Sequence, residues 1–228
     1  MASANREKNK GPLWATLYEE LRRDILSQKL IEGSKLSEAY VCRKYNVSRT
    51  PVREALFQLE AEGLVRIIPN RGAFVSGLSD RDISDIYDLR CLFETQAAEW
   101  AIVRMSGEEI DKLHETLDFM ELYTLRGDSE RISEFNTVFH DIIYEGCGNR
   151  FLRNTLLTYR TYIRNALPTM FHSSEQLKDI LKEHKAIYLA FETRNTKIGH
   201  RMMEDHLQKS KARFMANRLL LDNDEKSY

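Results

Sequence analysis

Three of the six histidines in this 228-residue sequence, His140, His184 and His206, fall at inward positions of helical apolar patterns. Asn136 and His140 are four residues apart, so on a helix they project about 40° from one another on one face. That face is internal, because Ile132, Phe135, Phe139 and Ile143 surround the pair. His184 stands in the same way among Ile180, Leu181 and Ile187, and His206 follows Met202 and Met203 at inward spacing. A single inward histidine is more often a satisfied core group than a ligand. Three of them with an amide, from three helices, point toward a divalent transition metal, since imidazoles packed together without a cation leave buried donors and acceptors unpaired. The competing reading keeps the histidines as hydrogen-bonding core groups of a pocket for a long acyl or coenzyme-type ligand, without metal.

A second set of residues suits nucleic acid. In Asn46-Val47-Ser48-Arg49-Thr50-Pro51-Val52-Arg53, either Ser48 or Thr50 can cap a helix whose first turn accommodates Pro51. With Val52, Leu56 and Leu59 facing inward, Arg49 and Arg53 share an outward face at the helix N-terminus, where a helix-turn-helix meets base edges. The arginine fork can bond guanine O6 and N7 together. The hydroxyls of Ser48 and Thr50, with the free amides of that helix end, suit phosphate oxygens. Downstream, Arg71 and Gly72 fall at the tip of a strand-turn-strand pattern, where a cation can enter the minor groove. The bland alternative is a solvated surface, with Arg53 paired to Glu54 or Glu60.

The elements that must position these residues are legible from spacing. Helices are expected over 13–30, 37–45 and 48–62, with Gly63 just past the third. Strands follow at 64–68 and 73–75 around Pro69-Asn70-Arg71-Gly72. After Gly77 the strand signal ends. Helices then open near residue 79, at Ser106 with Glu109 three residues on, at Ser129, at Asn149 (ending by Pro168), at Ser173 or Ser174, and at Asn195, the last running to Leu220. The fold expected is mainly α: an N-terminal winged helix-turn-helix over 13–76 and an all-α antiparallel helical bundle over 77–221, with tails at 1–12 and 222–228.

Charge agrees with that division. Residues 1–76 carry 13 Lys/Arg against 9 Asp/Glu, a surplus of +4, and the remainder carries 21 against 26, or −5, giving the net −1. Cys42, Cys91 and Cys147 show no paired spacing, which argues against a disulfide framework and for a reducing compartment, the cytoplasm by default. No apolar run is long enough to span a bilayer.

The runs Val47-Ser48-Arg49-Thr50-Pro51-Val52-Arg53-Glu54-Ala55-Leu56, Leu59-Glu60-Ala61-Glu62-Gly63-Leu64-Val65 and Asn70-Arg71-Gly72-Ala73-Phe74-Val75 resemble the GntR family of transcription regulators, and the helical half resembles the FCD effector domain of its FadR-type branch. Some members carry a further base-contacting arginine at the place of Ala39, so their operators do not transfer. The resemblance implies a homodimer on an inverted-repeat DNA operator. It also implies a metal set of Asn136, His140, His184 and His206, with zinc or nickel the expected ion. An amide in place of the commoner carboxylate leaves the ion's +2 charge uncompensated, which favours a small carboxylate effector. Arginine at the place of Arg90 reaches the ligand pocket in such domains; its alternative is an ion pair with Glu94. Arg160 and Arg164 are further candidates for the effector. A metal-dependent enzyme is the rival class, but Glu183 projects about 100° from His184 and no nucleophile–base set has helical spacing, so no enzyme is expected.

Overall fold

In a computed structural model, residues 12–166 and 173–225 are described. The chain divides into two compact units, the first running to Ser79 and including residues 164–166, the second running from Asp80 to Ile163 and again from residue 173 among the described residues.

In the first unit, α1 (Leu13–Leu26), α2 (Glu38–Tyr45) and α3 (Arg49–Ala61) carry Leu17, Leu21, Ile25, Val41, Val52, Leu56 and Leu59 into one core. Helix α1 stops four residues before the expected Leu30, and Gln28 then adopts φ +58°. The wing has a strand that the spacing did not reveal. Besides β2 (Val65–Ile68) and β3 (Gly72–Val75), the two residues of β1 (Lys35–Leu36) add to β3, giving the antiparallel order β1-β3-β2. Two residues carry no periodicity, so only the tertiary pairing of Lys35 with Phe74 and of Leu36 with Ala73 defines this strand. The hairpin turn between β2 and β3 places Asn70 at φ +62° and Gly72 at φ +98°, conformations that Asn and Gly tolerate best.

The second unit contains α4 (Asp80–Arg104), α5 (Gly107–Arg126), α6 (Ser129–Gly146), α7 (Arg150–Ala166) as far as Ile163, α8 (Ser174–Glu192) and α9 (Thr196–Glu225). Capping boxes open two of them as the sequence indicates, Ser106 with Glu109 before α5 and Ser173 with Gln176 before α8. The cap of α6 is Asp128 rather than Ser129: its carboxylate accepts from the Arg131 amide, and Ser129 is already inside the helix. Pro168 lies outside the described residues. Helix α9 continues to Glu225, past the expected end, since no Gly or Pro interrupts 221–225. The two long helices α4 and α9 lie against each other, and Gly199 is part of the reason: a Cβ there would run into Ile102. Helix α5 packs on α6 and α8, and α8 on α9. The core formed by Phe139, Ile143, Ile187, Phe191 and Met203 therefore sits beside the inward faces of α6, α8 and α9. No helix of the described residues is long and apolar enough to cross a membrane. All three cysteines are free.

Candidate functional site

Helix α6 brings in His140, α8 His184 and α9 His206, each at 4% exposure or less. One nitrogen from each comes together, all within 4.8 Å of one another. The sequence spacing therefore located a real cluster, and hydrogen bonding decides which nitrogens face inward. His206 Nδ1 donates to Glu183 Oε2 at 2.9 Å, and His184 Nδ1 donates to the Ile180 carbonyl at 2.8 Å. His140 Nδ1 lies 3.0 Å from Glu94 Oε2, an ion-pair contact rather than an aligned hydrogen bond. Carboxylates and carbonyls only accept, so the His184 and His206 rings each carry a proton on Nδ1, which leaves the lone pair of the neutral ring on Nε2. His140 Nε2 and His206 Nε2 stand 3.2 Å apart, and His184 Nε2 is buried without a partner.

A buried Nε2 without a partner beside a close Nε2–Nε2 pair is an arrangement that one cation would satisfy at all three nitrogens. The donor set fits a divalent transition metal. Burial pushes the His184 ring well below its ordinary pKa, and burial likewise takes His206 down to about 4 although Glu183 opposes it. Both rings are thus neutral near pH 7, the form in which imidazole binds a metal. Asn136 lies half-buried one turn before His140 on α6.

The carboxylates behind the rings are ionised. Burial alone would raise Glu94, but the adjacent Arg90 guanidinium overrides it, and with His140 holds the carboxyl at about 2. Glu183 behaves the same way: burial raises it, and hydrogen bonds from Arg213 and His206 bring it to about 2. Arg90 is 8% exposed, its Nε donating to Glu94 Oε1 at 2.7 Å and its guanidinium 5.1 Å from the Tyr87 ring centre. The inward placement read for Arg90 holds, together with the ion pair weighed against it. Arg160 pairs with Asp141, and Arg164 is exposed near the end of α7.

Sequence reasoning missed Glu183 and Arg213. The projection of Glu183 away from His184 is correct for α8 taken alone, but α9 passes on that side, so the carboxylate meets His206 there. The available signal was Arg213, seven residues after His206 and so about two turns further along the same face.

In the first unit the candidate DNA-contacting residues lie on one helix end and one turn. Ser48 holds the N-cap position of α3, but its hydroxyl makes no capping bond. Arg49, Thr50 and Arg53 are exposed at the start of that helix, and Arg71 is exposed on the wing turn beside half-buried Gly72. Arg53 Nε donates to Glu38 Oε1 of α2 at 2.7 Å, so its partner is neither Glu54 nor Glu60. Glu60 instead accepts from the Ile67 amide at 2.7 Å.

Residues 13–75 match the family described as bacterial regulatory proteins, gntR family, and residues 85–209 match the FCD domain. The HTH-type transcriptional repressor RspR of Escherichia coli (strain K12) is 26% identical over 197 residues, covering 86% of each chain. A gluconate operon transcriptional repressor of Bacillus subtilis (strain 168) is 34% identical over 135 residues, 59% of this chain and 55% of that one. Among solved structures, E. coli McbR/YncC shares the fold at a TM-score of 0.67 with 18% identity, over 90% of this chain and 98% of that chain.

Proposed function

Since the chain belongs to the GntR family of bacterial regulatory proteins and carries an FCD domain, we propose that it is a homodimeric, operator-binding regulator whose DNA affinity responds to a small carboxylate at a metal site. The observation that carries the effector half is the cluster of three buried imidazoles, with Nδ1 of His184 and His206 hydrogen-bonded, Nδ1 of His140 3.0 Å from Glu94, and one nitrogen of each ring brought within 4.8 Å of the others. His140, His184 and His206 would hold the ion, with Asn136 as a fourth, weaker oxygen ligand; zinc or nickel fits this nitrogen-rich set. When bound, the ion supplies a +2 charge inside an apolar bundle, and neutral ligands leave that charge for an external anion. Arg90 is the nearby fork for a second oxygen pair, because only its Nε is committed to Glu94. Arg160 and Arg164 are secondary, the first already paired and the second exposed.

On the DNA side, Arg49 and Arg53 read base edges in the major groove, Ser48 and Thr50 hold phosphates, and Arg71 with Gly72 enters the minor groove. Effector binding shifts the bundle only by its difference in affinity for two arrangements, typically 1–3 kcal/mol, and α4 is joined to the wing by the short stretch 76–79. Operator affinity then changes about 5–150-fold. A relative named for a gluconate operon puts sugar acids first among the carboxylates to try.

The test is metal analysis of the purified protein, followed by operator binding with and without sugar acids and hydroxy acids. One metal per chain and an acid-dependent change in operator affinity are expected. Metal-free protein that takes up none when offered zinc or nickel removes the metal half of the reading.

A further inference from the structure

Behind two of the three histidines stands a buried carboxylate, and behind each carboxylate an arginine. One chain of contacts runs Arg213–Glu183–His206 between α8 and α9, the other Arg90–Glu94–His140 between α4 and α6. We propose that Glu183 and Glu94 are the positioning residues of the metal site, each selecting the Nδ1–H form of one histidine so that its Nε2 lone pair meets the ion, and that they set how tightly the ion is kept. This rests on the metal reading above.

The geometry at Glu183 is the stronger of the two. Its Oε1 accepts from Arg213 Nη1 at 2.8 Å, and its Oε2 accepts from Arg213 Nη2 at 2.7 Å and from His206 Nδ1 at 2.9 Å. A bidentate fork fixes the carboxylate plane, so the oxygen facing His206 cannot swing away without breaking a charged pair. At Glu94, Arg90 Nε donates to Oε1, while Oε2 lies 3.0 Å from His140 Nδ1, a charge contact without the alignment of a hydrogen bond, so its hold on that ring is the weaker. A carboxylate hydrogen-bonded to the far nitrogen of a ligand histidine fixes the ring's orientation and raises the basicity of the coordinating nitrogen. His184 has no such anion; its Nδ1 is held by a carbonyl of its own helix. The third ligand is therefore placed by backbone and the other two by charge.

The same arrangement accounts for the site's electrostatics. Each carboxylate is offset by its own arginine, so the two relays orient the rings without adding net negative charge. The ion's charge stays available to an exogenous anion, which a direct carboxylate ligand would have reduced.

The experiment titrates metal-stripped wild type, Glu183→Gln and Glu94→Gln with Zn²⁺ against a chelating competitor, with far-UV circular dichroism as a check on folding. Glutamine keeps the shape but removes the charge, and each variant should bind zinc about 10–100-fold more weakly. The double variant Glu183→Gln/Arg213→Met removes the arginine charge that the single variant leaves unpaired, and the weakening should persist in it. In ¹⁵N-histidine spectra of zinc-loaded wild type, His140 and His206 should show protonated Nδ1 and metal-bound Nε2. Unchanged zinc affinity in both single variants, wild-type affinity in the double variant, or Nδ1 coordination by His206 overturns the proposal. Where a variant fails to fold, the wild-type spectrum decides. A wild type that takes up no zinc instead defeats the underlying metal reading, and the wild-type arm alone reveals that case.

Discussion

His140 Nε2 and His206 Nε2 face one another at 3.2 Å across α6 and α9, with each ring held from behind on the side of a glutamate. A proton between those two nitrogens satisfies them alone, whereas a metal ion would serve them together with His184 Nε2, which is buried without a partner.

Metal removal should therefore cost stability. At a free zinc concentration of about 100 times Kd, binding to the folded state alone adds roughly 2.7 kcal/mol. For a chain of this size that corresponds to a melting midpoint higher by about 5–10 °C. Thermal unfolding with and without a strong chelator measures it. Equal midpoints, in a sample with no detectable metal, would return the histidines to the role of ordinary core groups.

The base-reading assignment makes a separable claim. Arg49→Ala and Arg53→Ala should each lower discrimination for the operator by roughly five- to a hundredfold at fixed salt, whereas Arg71→Ala should act chiefly where the minor groove is narrow. Because Glu38 holds Arg53 at 2.7 Å, Glu38→Ala should change preference at the base pair that Arg53 reads and leave the Arg49 position alone. Binding assays over single base-pair substitutions give the pattern. Wild-type specificity in both arginine variants would place the recognition surface elsewhere.

What the sequence made legible follows from the range of each signal. Cap residues marked the helices of the bundle, and β-branched runs on either side of turn residues marked the two longer strands of the wing, because each of these signals is local. Helical spacing of apolar residues put His140, His184 and His206 on inward faces, which was sufficient to bring them together once the helices packed. Spacing missed β1, whose two residues have no period, and it missed the partner of Glu183, whose direction on α8 acquires meaning only from α9 alongside. Arg53 went to Glu38 for the same reason: a partner one helix away is invisible to i,i+4 reasoning. Local patterns reached the residues that point inward, while contacts between helices decided what those residues touch.

Symmetry supplies a further prediction. One small winged domain buries too little DNA for specific affinity, so the operator should be an inverted repeat bound by a two-fold dimer. Sedimentation at micromolar concentration, with and without operator DNA, should report a dimer. A monomer under both conditions would contradict this, and half-site DNA bound as tightly as the full repeat would do so independently.

The buried pair of Arg90 and Glu94 dictates how the effector clamp has to be tested. Replacing Arg90 alone strands an ionised carboxylate at 0% exposure, and breaking a buried pair from one side typically costs 3–5 kcal/mol, so Arg90→Ala should lower the unfolding midpoint whatever the effector does. The paired variant Arg90→Met/Glu94→Gln removes both charges and should recover much of that loss, because an apolar side chain of similar length fills the space beside Tyr87. With metal saturating and its content verified, this variant should bind operator DNA like the wild type while its response to carboxylates disappears or requires at least roughly tenfold more ligand. Glu94→Gln is the matched control, since it keeps the guanidinium and under saturating metal should keep the response. Operator titrations across an acid concentration series separate the two, and an undiminished response in the paired variant would show that the carboxylate is gripped by groups other than Arg90.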